Sequence, residues 1–268
     1  MSAINKPYGL VSEVSGIEET RNPELQRHLP VAAAFGWLSV GWRDLMIRPG
    51  LSLTYGLAVF VVSIVFIWTM FTLGWDYILF PALAGFMIVA PVLAIGLYAK
   101  SRAIEAGEPP TLDAMLAVKP RAGAQIFFTG LLLCLLMLLW MRAAVLIYAL
   151  FFGIRPFPGL DHVVSIIFTT PTGLGMLVVG SLVGGLFAAF GFAISVFSIP
   201  MLLDQRTDAL TAMATSMMLV WNNLIPTIAW GGIVLILLAV SFATGLIGLI
   251  VIFPLLGHAT WHAYRAVR

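Results

Sequence analysis

Along residues 51–258 the polar positions thin out until long apolar runs remain, each bounded by a small knot of Lys or Arg. Residues 51–75 contain no charged side chain, and neither do residues 77–99. A bilayer core of about 30 Å is crossed by roughly 20 apolar residues in a helix, so each run is long enough to span. The pattern predicts six spans: 51–73, 77–99, 127–148, 174–203, 224–242 and 245–264. Residues 163–203 are also uncharged and could hold two helices. However, Thr169-Thr170-Pro171-Thr172-Gly173 breaks the run after only six residues, 163–168, and that leaves one span.

Charge agrees with six. Lys6, Arg21, Arg27, Arg43, Arg48, Lys100, Arg102, Lys119, Arg121, Arg206, Arg265 and Arg268 then share one side, and only Arg142 and Arg155 lie in or near the other. Positive residues stay cytoplasmic, so both termini are expected inside a bacterial inner membrane. Residues 1–34 read as a polar cytoplasmic tail, with Glu13, Glu18, Glu19 and Glu24 and no signal-peptide core. Residues 35–268 read as the six-span domain.

The spans come in pairs, and each pair follows a short amphipathic stretch: residues 36–49, 111–121 and 207–223. Pro49, Pro120 and Pro226 stand near the start of the following span, where a missing N–H is tolerated. Pro91 precedes Arg102-Ala103-Ile104 by eleven residues, and Pro254 precedes Arg265-Ala266-Val267 by eleven. The expected fold is therefore all-α and polytopic, with short interfacial helices and a three-fold internal repeat. Trp and Arg at interfaces and proline near helix ends are common in any membrane protein, which is the competing explanation of the repeat.

Composition narrows the function. The chain is 61 % hydrophobic and 10 % charged, against about a quarter charged in soluble domains. A net charge of +2, scattered over helix ends, excludes a nucleic-acid stripe. One cysteine, Cys134, excludes an intrachain disulfide or thiol metal site. There is no GxSxG, HExxH or phosphate loop, and no carboxylate inside a span, so no enzymatic activity and no cofactor is expected. An ion-coupled transporter usually carries an acid at mid-membrane.

A few residues stand out. Trp42, Arg43 and Asp44 mark the first interfacial stretch. Arg142 is the one charge inside a long apolar run, though about 20 residues past Arg121 a helix has nearly crossed the core. It either snorkels to the outer interface or pairs with Asp161. His258 and His262 stand four apart beside Trp261 and Arg265, one helix face that suits either a metal or ordinary hydrogen bonding. No carboxylate lies near them in sequence, and hydrogen bonding is the reading taken, with no metal. Gly180, Gly184, Gly185 and Gly191 predict a close-packed seam on the fourth span, which should be the most enclosed helix.

Gly41-Trp42-Arg43-Asp44, Arg48-Pro49, Phe80-Pro81, Gly96-Leu97-Tyr98 and Glu105-Ala106-Gly107-Glu108-Pro109 resemble the DUF2189 family of bacterial integral membrane proteins. Trp140-x-Arg142, Phe151-Phe152-Gly153 and Gly257-His258-Ala259-Thr260-Trp261-His262-Ala263-Tyr264-Arg265 fit the same resemblance, which runs from Phe35 to the C-terminus. The resemblance implies an uncharacterised membrane protein. Some members carry a cytochrome c oxidase subunit label, which implies a respiratory-membrane setting and not a redox centre. Four histidines are too few for a catalytic oxidase subunit. The expected partners are membrane lipids and other membrane subunits. The function expected is an accessory, scaffold or assembly protein, with a small transporter or channel as the alternative.

Overall fold

The computed structural model describes residues 25–118, 120–153 and 159–268. The described residues contain helices and short connections, with no strand among them. In chain order the helices are α1 (Ala33–Met46), α2 (Pro49–Thr72), α3 (Leu79–Leu93), α4 (Ile95–Glu105), α5 (Leu112–Leu116), α6 (Gly123–Phe152), α7 (Leu160–Thr169), α8 (Pro171–Ser195), α9 (Ser198–Asp204), α10 (Ala209–Asn222), α11 (Leu224–Ala243) and α12 (Leu249–Val267).

Local chemistry sets the boundaries. Pro49 occupies the first turn of α2, where its ring pre-sets the helical φ. Thr170 caps α8, its hydroxyl accepting from the Gly173 amide at 3.0 Å. Asp208 caps α10 by accepting from the Thr211 amide at 2.9 Å, and these hydrogen bonds hold its carboxyl below the ordinary range. The break expected at 169–173 is present, and the apolar stretch before it forms α7.

Five stretches are long and apolar enough to cross a bilayer: Pro49–Thr72, Leu79–Glu105, Gly123–Phe152, Pro171–Asp204 and Leu224–Ala243. Their large side chains point outward, as Phe127 and Leu150 at 78 % exposure illustrate. Water would not tolerate that surface, but hydrocarbon does. The sixth expected span is a helix of 19 residues, α12, long enough to cross. Its second half carries His258, His262 and Arg265 and so falls short in apolar character.

The long helices share one basic end. The Arg121 and Ala122 amides, before α6, donate to Leu203 and Leu202 at the end of α9. Arg102 reaches the Leu203 carbonyl, and Arg48 reaches the Pro110 carbonyl at 2.9 Å. The Arg27 amide donates to Asn223 Oδ1 at 3.0 Å, the Arg27 guanidinium to the Arg268 carbonyl, and Asn223 Nδ2 to the Leu25 carbonyl at 2.9 Å. Thus α2, α6 and α11 leave this end, and α4, α9 and α12 return to it. Residues 25–29 are docked here; the rest of the expected tail, residues 1–24, lies outside the described residues.

The expected glycine seam needs correction. A Cβ on Gly184 would meet Trp140 at 2.8 Å and one on Gly191 would meet Ile88 at 3.3 Å, but Gly180 and Gly185 meet nothing within 4 Å. Gly185 follows Gly184, so it sits about 100° around the helix, off the packed face. Nor is this helix the most enclosed. In its apolar stretch 11 % of residues are buried, against 28 % in α11. The tight glycines are elsewhere. A Cβ on Gly41 would meet the Ala259 backbone at 2.6 Å, and one on Gly56 the Ile250 carbonyl at 2.2 Å. On Gly257 it would meet Leu97 at 2.6 Å, and on Gly96 the Met115 carbonyl at 2.4 Å. Gly41, Gly56 and Gly257 lie where α12 packs on α1, α2 and α4, and Gly96 lies where α4 meets α5 and Tyr55 of α2.

Candidate functional site

The contact of α12 with α1, α2 and α4 buries an unusual set of polar side chains at the basic end. Asp44 on α1, Ser52 in the first turn of α2, Lys100 and Ser101 on α4 and His258 on α12 are each no more than 3 % exposed. The close approach that places them depends on Gly41 and Gly257, which let α12 lie directly against α1 and α4.

These side chains form a chain of hydrogen bonds. Lys100 Nζ donates to Ser52 Oγ at 2.6 Å, and lies 3.5 Å from the Arg48 carbonyl. Ser52 Oγ is 2.9 Å from His258 Nε2, and Ser101 Oγ is 2.8 Å from His258 Nδ1. Asp44 takes hydrogen bonds from Ser101 and His262, the latter from Nε2 to Oδ2 at 2.8 Å. The donor inventory orients the chain. Ionised Asp44 can only accept, so Ser101 gives it its proton and must accept from His258 Nδ1–H. For a neutral ring, Nε2 then accepts from Ser52, whose oxygen is already accepting from Lys100. Donors run one way from the cation Lys100 to the anion Asp44.

Burial alone would raise the Asp44 pKa. The hydrogen bonds from His262 and Ser101, with the nearby His262 and His258 rings, outweigh it and hold the carboxyl below its ordinary 3.8. A second, more exposed layer lies one turn along α12. Trp261 Nε1 donates to Glu105 Oε2 at 3.0 Å, and Arg265 Nε to Glu105 Oε1 at 2.9 Å. Arg265 and Arg268 both pair with Asp204.

The structure thus gathers Asp44, His258, Trp261, His262 and Arg265 into one region. The absence of a carboxylate near the histidines is corrected: Asp44 comes from 218 positions away. Both ring nitrogens of His258 have hydroxyl partners, and the described residues contain no group of three or more His, Cys, Asp or Glu able to hold a metal. Trp42 and Arg43 are exposed on the outer face of α1, with Trp42 in a stripe with Phe35 and Met46, all at least 46 % exposed. Arg142 is exposed far along α6 from the cluster. Arg155, in 154–158, and the Asp161 side chain lie outside the described residues. Cys134 faces outward. Sequence reasoning passed over Ser52, Lys100 and Ser101. Lys100 was counted only as a charge at a span end, and a serine in an apolar run (Ser52) and one between two basic residues (Ser101) carry no signal of their own.

Helices with outward apolar faces, closed internally by polar bonds at one end, define an integral membrane protein of multi-pass helical type. The resemblance drawn from the motifs is shown over part of the chain: residues 79–204 match the DUF2189 family, described as "Predicted integral membrane protein (DUF2189)". The Gly41–Asp44 and Gly257–Arg265 motifs lie outside that match, although they form the buried cluster together. No curated protein and no solved structure matches the chain.

Proposed function

We propose that this chain is a non-enzymatic accessory or scaffold protein of the bacterial inner membrane, holding membrane subunits and lipids against its outer face. Its six spans, α12 included, place both termini in the cytoplasm. Three units of short helix, outgoing helix and returning helix make up the body: α1 to α4, α5 to α9, and α10 to α12. The observation that carries the reading is the closed cluster. Its charged and polar groups answer one another inside the protein, so they lock four helices and leave recognition to the exposed stripe of Phe35, Trp42 and Met46 on α1. An oxidase complex is the first partner to seek, given the respiratory label in the resembling family.

The test is affinity purification from native membranes in mild detergent, with quantitative mass spectrometry. Membrane subunits near stoichiometric with the bait, and lost with Phe35→Ser plus Trp42→Ser, are the expected result. A bait that purifies alone, or with partners indifferent to that variant, overturns the scaffold.

One observation favours the transport alternative: the hydrogen-bonded run Lys100–Ser52–His258–Ser101, with the Asp44–His262 pair beside it, is a line of groups able to pass a proton. Proteoliposomes enclosing a pH dye discriminate. On the scaffold reading, proton flux equals that of empty vesicles. A flux abolished by Ser52→Ala selects transport.

A further inference from the structure

A cavity of about 690 Å³, counting its open mouth, lies between α3, α4, α8, α11 and α12. Its walls are mostly apolar, with Pro91, Phe192, Leu256 and Leu238 among them. Tyr98, Ser195, Trp230 and Thr260 bring polar atoms to that surface. Trp230 is 0 % exposed and Ser195 is 1 % exposed, and both line the cavity. Neither the indole Nε1 nor the serine Oγ has a hydrogen-bond partner among the described residues. Trp37 packs edge-on against Trp230 with ring centroids 6.1 Å apart and so fixes the indole.

A buried N–H left without an acceptor is costly, and a satisfied core tryptophan normally finds one. Small-molecule sites are mostly apolar with a few placed polar groups, and the lining of this cavity has that character. We propose that this cavity binds a membrane-soluble apolar molecule carrying a carbonyl-type oxygen, which accepts from Trp230 Nε1 and Ser195 Oγ while its hydrocarbon fills the space toward Phe192 and Leu256. The indole supplies only a donor, so an oxygen acceptor is what it selects.

Such an oxygen has two sources in a bilayer, the ester of an acyl chain and a carbonyl on a compact ring. The probes are 2-dodecanone against dodecane for the chain, and menthone against menthane for the ring. Each is titrated into the full-length protein in detergent, with intrinsic tryptophan fluorescence and thermal stability as readouts. One good hydrogen bond should make the ketone bind about threefold to tenfold tighter than its hydrocarbon. That preference should vanish in Trp230→Phe and shrink in Ser195→Ala, while dodecane or menthane binding stays. Ala188→Phe, which fills the wall without touching either polar atom, should abolish both. A preference only for 2-dodecanone assigns the acyl ester, and a preference only for menthone assigns the ring compound. Equal affinity of ketone and hydrocarbon in both pairs overturns the proposal, as does a ketone preference that survives both Trp230→Phe and Ser195→Ala. If Trp230→Phe does not fold, Ser195→Ala decides alone: an undiminished preference then overturns it.

Discussion

Asp44 is where a single side chain has the most measurable consequence. It is buried, yet its bonds to His262 and Ser101 hold its carboxyl below 3.8. A carboxyl whose folded pKa is depressed contributes stability that is full above its unfolded pKa and is lost as pH falls through the folded one. Wild-type protein in detergent should therefore lose thermal stability steeply as pH drops from about 5 to about 3. Asp44→Asn should start less stable and lose less over the same range. Parallel curves would remove Asp44 from the account. Lys100→Met strips the cation from the same chain and with it the bond to Ser52 Oγ, and a hydrogen bond made by a charged group contributes about 1.5–3 kcal/mol. Chemical denaturation in mixed micelles reads that loss, and a change under about 1 kcal/mol would mean that the cluster is not closed as described. Glycine makes a third residue-scale point. Gly56→Ala would drive a Cβ into the Ile250 carbonyl, a clash with rigid backbone, so a loss of roughly 1–3 kcal/mol or more is expected. Gly185→Ala meets nothing and should leave the melting temperature unchanged. The sequence alone ranked these glycines the other way. Spacing along one helix finds small-residue runs such as 180–191, but it cannot tell which ones another helix reaches.

At the scale of elements, the apolar runs were legible because the bilayer demands a fixed length of uninterrupted hydrocarbon, and five of them appear as long helices within a few residues of the expected bounds. The short helices were legible as amphipathic stretches ahead of each pair of spans: α1 and α10 run for 14 residues each, whereas α5 keeps only five. The sixth element was harder. α12 departs from span composition because its last turns face α1 and α4, where His258 and His262 find partners 157 and 218 positions away. A pairing over such a distance leaves no trace in local periodicity. The orientation of α12 is directly checkable. A periplasm-active reporter inserted between Thr244 and Gly245 should be active, and one fused after Arg268 should be silent, if α12 returns across the bilayer. Activity at Arg268 would leave α12 lying along the surface instead. Depth along α6 has its own check. Arg142→Cys in a Cys134→Ala background should label with an impermeant thiol reagent from the periplasmic side, since Arg142 is exposed ten residues before the end of a 30-residue helix. Protection from that reagent would move Arg142 into hydrocarbon.

For the whole molecule, the most telling feature is that the last helix completes the first. The contacts of α12 reach α1, α2 and α4, and its histidines satisfy groups those helices carry. The ribosome delivers the parts in a fixed order, so Ser101 waits 157 positions and Ser52 waits 206 before His258 emerges, and Asp44 waits 218 for His262. During that interval Asp44 lacks its His262 donor and the Ser52 and Ser101 hydroxyls lack the His258 ring, whereas Lys100 already has Ser52 Oγ and the Arg48 carbonyl. A chain stopped after Gly248 should insert its first five spans and yet turn over several-fold faster in pulse–chase than the full chain. Supplying residues 245–268 as a separate peptide should lengthen its half-life, and more so with His258 intact than with His258→Ala.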